Sequence, residues 1–77
     1  MITRDNIVEL FGAAEIHVSM ADLKDGEPLA MQGLDSLDMA NLLFQIEQKF
    51  GLTISPNDAS RLRTVQDMVD YVGSKRH

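Results

Sequence analysis

A serine at position 36 stands among carboxylates in the run Gly33, Leu34, Asp35, Ser36, Leu37, Asp38. Its hydroxyl falls in the first turn of a strongly patterned helix. A phosphate placed on it would meet the positive end of the helix dipole, so the position suits a covalent attachment. Hydrolysis is a poor fit, since no histidine lies nearby in the sequence to act as base and no strand leads into a strained nucleophile turn. The two histidines, His17 and His77, are far apart and lack acids or cysteines at ligand spacing, so they suggest a loop residue and a chain end rather than a metal site. Asp35 and Asp38 stand on an exposed helix start, a poor setting for a metal or acid-base pair, which leaves capping and partner contact as their roles. The chain has no cysteine. Any thiol it uses must therefore arrive on an added group.

At 77 residues the chain supports one small domain, spanning positions 1–77. Its 44% hydrophobic and 25% charged residues are those of a folded protein, not a disordered tail. The absence of cysteine fits an intracellular, cytoplasmic setting. Asp5, Asn6 and Glu9 interrupt any apolar run a secretory signal would need, and no segment reaches membrane-spanning length, so no membrane insertion is expected. The formal charge of −5 argues against nucleic acid as a partner, because neutralising phosphates takes clustered Lys and Arg. Residues 1–34 hold six acids and two bases, 35–50 three and one, and 51–77 three and four. The acidic bias ahead of and around Ser36 could steer a basic protein surface toward the hydroxyl, or could simply be a solvated face.

These residues must be positioned by helices. Thr3 caps a first helix whose Ile7, Val8, Leu10, Phe11 and Ala14 recur at three- and four-residue steps, with Gly12 leaving its end open. From Glu15 to Gly33 no period persists. This long connection is punctuated by Gly26, Pro28 and Gly33 and anchored by Ile16, Val18, Met20, Leu23 and Leu29. A second helix begins at Asp35 or Ser36 and runs to Phe50, where Gly51 stops it. Met39, Leu42, Leu43, Ile46 and Phe50 form its inner arc. Ser55, Pro56 and Asp58 open a short helix through Leu62. Thr64 and Asp67 cap a last one, with Val65, Met68, Val69 and Val72 inward before Gly73 and a basic tail. The expected fold is all-α: an antiparallel four-helix bundle of three long helices and one short, with a long loop between the first two.

Leu37, Ala40 and Phe44 form a second apolar row on the second helix, turned about 130° from the core arc and so partly exposed. Bordered by Asp38 and Glu47, the row has the apolar anchors and charged rim of a transient docking surface. Phe44 has an equal alternative, folding under the loop or against the short helix. The five methionines suit a deformable core, with gap-filling as the default role.

Over nearly its whole length the sequence resembles the acyl carrier proteins. The Gly33 to Asp38 motif, the long loop before it, the short helix after it and the Thr64, Val65, Gln66 start of the last helix carry the resemblance. It implies a non-catalytic carrier on which a phosphopantetheinyl transferase attaches 4′-phosphopantetheine, drawn from coenzyme A, to Ser36. The arm's terminal thiol would then hold acyl intermediates as thioesters for fatty-acid and other lipid biosynthetic enzymes. By the same resemblance Asp35, Leu37, Asp38, Ala40, Phe44 and Glu47 would face partners such as the transferase, acyl-ACP synthetase or acyltransferases and ketosynthase-type enzymes. Met39, Leu42, Leu43, Ile46 and Leu62 would form an acyl-chain pocket, in a chain acting as a monomer.

Two departures bear on partner choice. Met31 and Gln32 stand where bacterial fatty-acid carriers usually have Asp and Leu, and Asn41, Gln45 and Gln48 make the second helix less acidic than is usual. They point to a dedicated pathway. The alternatives are a carrier of aminoacyl or polyketide units, or a non-carrier helical adaptor in which Ser36 serves only the helix start.

Overall fold

A computed structural model describes residues 2–19 and 21–75. Four α-helices appear in the order α1 (Arg4–Ala13), α2 (Ser36–Phe50), α3 (Pro56–Ala59) and α4 (Val65–Lys75), and the described residues contain no strand. The expected loop anchor Met20, and Arg76 and His77 of the basic tail, lie outside the described residues.

Each helix starts where side chains can satisfy free backbone amides. Before α1 the Thr3 N–H donates to Asn6 Oδ1 at 2.8 Å. At α4 the Asp67 N–H donates to Thr64 Oγ1 at 2.9 Å, while Asp67 Oδ2 accepts from the N–H groups of Arg63 and Thr64. The helix α1 runs through Gly12 to Ala13, and α4 runs through Gly73 to Lys75, one turn further than the glycine suggested. One glycine in an otherwise packed helix costs only about 1 kcal/mol relative to alanine, which the flanking core contacts outweigh. The short helix α3 ends at Ala59, before the expected Leu62. The next amides, on Arg61 and Leu62, bond three residues back instead of four, so the chain tightens there into a turn.

The core gathers Ile7, Leu10 and Phe11 of α1, Leu42 and Ile46 of α2, and Val65, Met68 and Val72 of α4. Packing of α1 against both α2 and α4 buries these stripes. Ile16, Leu23, Leu29 and Leu34 close the core from the α1–α2 segment, and Val18 is half-buried. That segment has structure of its own. Leu29–Gln32 form a 3-10 turn, which the expected loop lacked. The Leu29 N–H donates to Arg63 O at 2.8 Å and the Gln66 N–H to Asp25 O at 3.0 Å, fastening the segment to the start of α4. Gln32 closes it on itself: its Oε1 accepts from Lys24 N–H at 2.8 Å, and its Nε2 donates to the carbonyls of Lys24 and Glu27. Arg4 of α1 pairs with Asp25.

Candidate functional site

The site begins with Gly33, whose φ of 100° is a left-handed conformation that glycine adopts without steric cost. It turns the chain out of the 3-10 turn and sends Leu34 into the core, where only 3% of it stays exposed. Asp35 then caps α2. Its Oδ1 accepts from Asp38 N–H at 2.8 Å, and Asp38 Oδ2 accepts from Asp35 N–H at 3.2 Å, a reciprocal capping box. With both carboxylates engaged, Ser36 is the first helical residue. It is exposed, and no described residue forms a hydrogen bond with its hydroxyl. The arrangement fits a phosphate-linked group: the oxygen is reachable, and the α2 dipole favours negative charge beside it.

Next to Ser36 lies an open cleft of about 940 Å³. Asp35, Ser36, Met39, Ala40 and Leu43 form its α2 side, and Pro28, Ala30, Met31 and Leu34 contribute from the preceding segment. Pro56, Ala59, Ser60, Leu62 and Arg63 face them. Of the five residues expected around an acyl chain, Met39, Leu43 and Leu62 line this cleft. Leu42 and Ile46, with no exposed surface, lie in the core and not along it. The sequence reading missed the contributions of Pro28, Ala30 and Leu34, of the α3 residues Pro56 and Ala59, and of Ser60 just after them. The spacing of the last three, at i, i+3 and i+4, was an available signal that they share a face.

On the outer side of α2, Leu37 is 67% exposed and Phe44 53%, with Ala40 exposed between them. Phe44 is therefore not folded under the loop. Met31, in the 3-10 turn, is 81% exposed and lines the cleft beside Ser36. Asp38 is held in the capping box. Glu47 is held too, its Oε2 accepting from Ile54 N–H at 2.8 Å, so this carboxylate also fastens the chain that follows α2. His17 is exposed and lines a separate, more polar cleft on the α1–α2 segment. Among the described residues no group of three or more His, Cys, Asp or Glu could hold a metal ion. None of the described helices is long and apolar enough to cross a membrane.

Residues 5–72 match the family described as the phosphopantetheine attachment site. The chain is 36% identical over 64 residues to the acyl carrier protein of Chlamydia muridarum, covering 82% of this chain and 83% of that one. It is 39% identical over 59 residues to the acyl carrier protein of Chlamydia trachomatis serovar L2, covering 75% and 77%. Over 44 residues it is 41% identical to that of Nitratidesulfovibrio vulgaris strain DP4, covering 57% and 58%. An exposed serine opening a helix beside an apolar cleft, and likeness over most of the length, lead to one conclusion: this chain belongs to the acyl carrier proteins, the family that carries covalently attached 4′-phosphopantetheine.

Proposed function

We propose that this protein carries acyl groups on an arm attached at Ser36 and delivers them to the lipid-forming enzymes of a dedicated pathway. The observation that carries the reading is the free, exposed Ser36 hydroxyl at the start of α2, beside a cleft walled largely by apolar side chains. When attached, 4′-phosphopantetheine supplies the thiol that the cysteine-free chain lacks. The chain's own work is positional. Ser36 anchors, Met39, Leu43 and Leu62 shelter apolar cargo, and Leu37, Ala40, Phe44 and Met31 offer anchors to the transferase, to acyl-ACP synthetase or acyltransferases, and to ketosynthase-type enzymes. It performs no turnover itself. Residues 1–77 act as a single domain, an antiparallel bundle working as a monomer in the cytoplasm.

The dedicated pathway is supported by Met31 and by the uncharged Asn41, Gln45 and Gln48, which leave apolar contact to do more of the recruiting than charge. Comparable loading by the organism's general malonyl transferase at physiological salt would count against it. The carrier reading itself is tested by intact mass after incubation with coenzyme A, magnesium and a broad-specificity phosphopantetheinyl transferase. The parent should gain the mass of one arm and Ser36→Ala none. An unchanged parent mass would leave the helical adaptor standing.

A further inference from the structure

The helix α3 walls one side of the cleft, yet its four residues include none that is buried, and a helix this short cannot hold itself together in water. What keeps it in place lies on its far side. Pro56, Ala59 and Ser60 face the cleft. At about 100° per residue, Asp58 points roughly 200° from Pro56, away from the cleft and toward α4. There its Oδ2 accepts a hydrogen bond from the Tyr71 hydroxyl at 2.8 Å. Tyr71 stands on firm ground, because Met68 and Val72 on the same helix are completely buried.

The other fastenings lie outside α3. Ile54 N–H donates to Glu47 ahead of it, and beyond it Leu62 is buried and Arg63 O accepts from Leu29 N–H. From 55 to 61, the Tyr71 to Asp58 bond is the side-chain hydrogen bond that reaches another element among the described residues. Burial, the bond to Asp58 and the Asp58 and Glu47 charges, in that order, raise the Tyr71 pKa, so the phenol remains a donor at neutral pH.

We propose that Tyr71 is a positioning residue for cargo: by holding Asp58 from behind, it sets α3 as the outer wall of the cleft beside Ser36 and limits the acyl chains the cleft can shield. The inference rests on the carrier reading above. A chain entering between α2 and α3 must shift α3 relative to α4, which this bond resists. Releasing it frees α3 to shift without touching the core.

Tyr71→Phe removes the hydroxyl and keeps the ring, so it tests the bond without opening a cavity. Amide exchange of the unloaded variant should run about tenfold faster at Ala59 and Ser60, whose N–H groups donate to Ser55 O and Pro56 O, and stay unchanged within α1 and α2. The second readout is hydroxylamine cleavage of short, medium and long saturated acyl groups loaded as thioesters on the arm at Ser36. In Tyr71→Phe the long chains should gain protection relative to the short ones. Asp58→Asn, which keeps an acceptor oxygen, should restore a profile closer to the parent than Asp58→Ala does, and adding Tyr71→Phe to Asp58→Ala should change nothing more. Exchange that is unaltered, or that speeds equally in every helix with the parent's chain-length profile intact, overturns the proposal. If the parent takes up no arm, the carrier reading falls and the cargo role with it. Ordinary loading with an unaltered profile removes the role of Tyr71 alone.

Discussion

The two walls of the cleft are built differently. The α2 wall has fifteen residues, a reciprocal capping box at its start and a left-handed glycine, Gly51, at its end, and it sends the fully buried Leu42 and Ile46 into the core. The α3 wall has four residues and no buried side chain, and among the described residues one side-chain hydrogen bond, from the Tyr71 phenol, ties it to α4. Local opening free energies follow buried contacts, so the two walls stand at opposite ends of that range. On the proposal above, such a cleft would hold Ser36 on its fixed side while its width adapted to the cargo.

The sharpest break in this contrast comes from Leu42→Ala. Removing a completely buried leucine from the fixed wall should cost about 3 kcal/mol, read as a lower urea midpoint, and a loss below about 1 kcal/mol would mean that α2 is not the rigid side. Next is Asp35→Ala, which deletes half of the capping box and should cost about 1 kcal/mol in the same assay. Smaller still is a pH effect at the movable wall. The folded Tyr71 pKa lies above its ordinary value of 10.0, so the bond's stabilisation is complete below that value and fades as pH climbs through the raised one. Asp58 and Glu47 face the phenol with negative charge, and the Lys75 ammonium sits 5.5 Å from the ring centre. The melting difference between the parent and Tyr71→Phe should therefore shrink through the alkaline range, and a difference that held constant there would count against the latch. The smallest effect belongs to Phe44→Ser. With half its surface in water, Phe44 should change stability by no more than about 0.5 kcal/mol while weakening capture by a docking enzyme, measured as a raised KM.

What could be seen in the sequence divides along the same line. The fixed wall was legible because everything that makes it is local: Asp35 and Asp38 three residues apart, Leu42 and Ile46 four apart, and a glycine after Phe50. Ser36 as the first helical residue followed from the same short-range rules. The 3-10 turn at Leu29–Gln32 was not legible, because a carbonyl 34 positions away, on Arg63, and the Gln32 amide folded back on Lys24 and Glu27 hold it. Nor could spacing separate Met39 and Leu43, which line the cleft, from Leu42 and Ile46, which do not, since all four share one arc until α1 covers part of it. Tyr71 was hidden for the same reason, its partner lying thirteen residues earlier on another helix.

The Gln32 side chain gives the segment before Ser36 a further property. A primary amide neither gains nor loses a proton in water, and its hydrogen bonds to Lys24 and Glu27 backbone atoms involve no full charge on either side. A carboxylate at this position would let go on acidification and would feel dissolved ions. With glutamine there, the Gln32 bonds should hold this stretch of backbone in shape when the surroundings turn sour or briny.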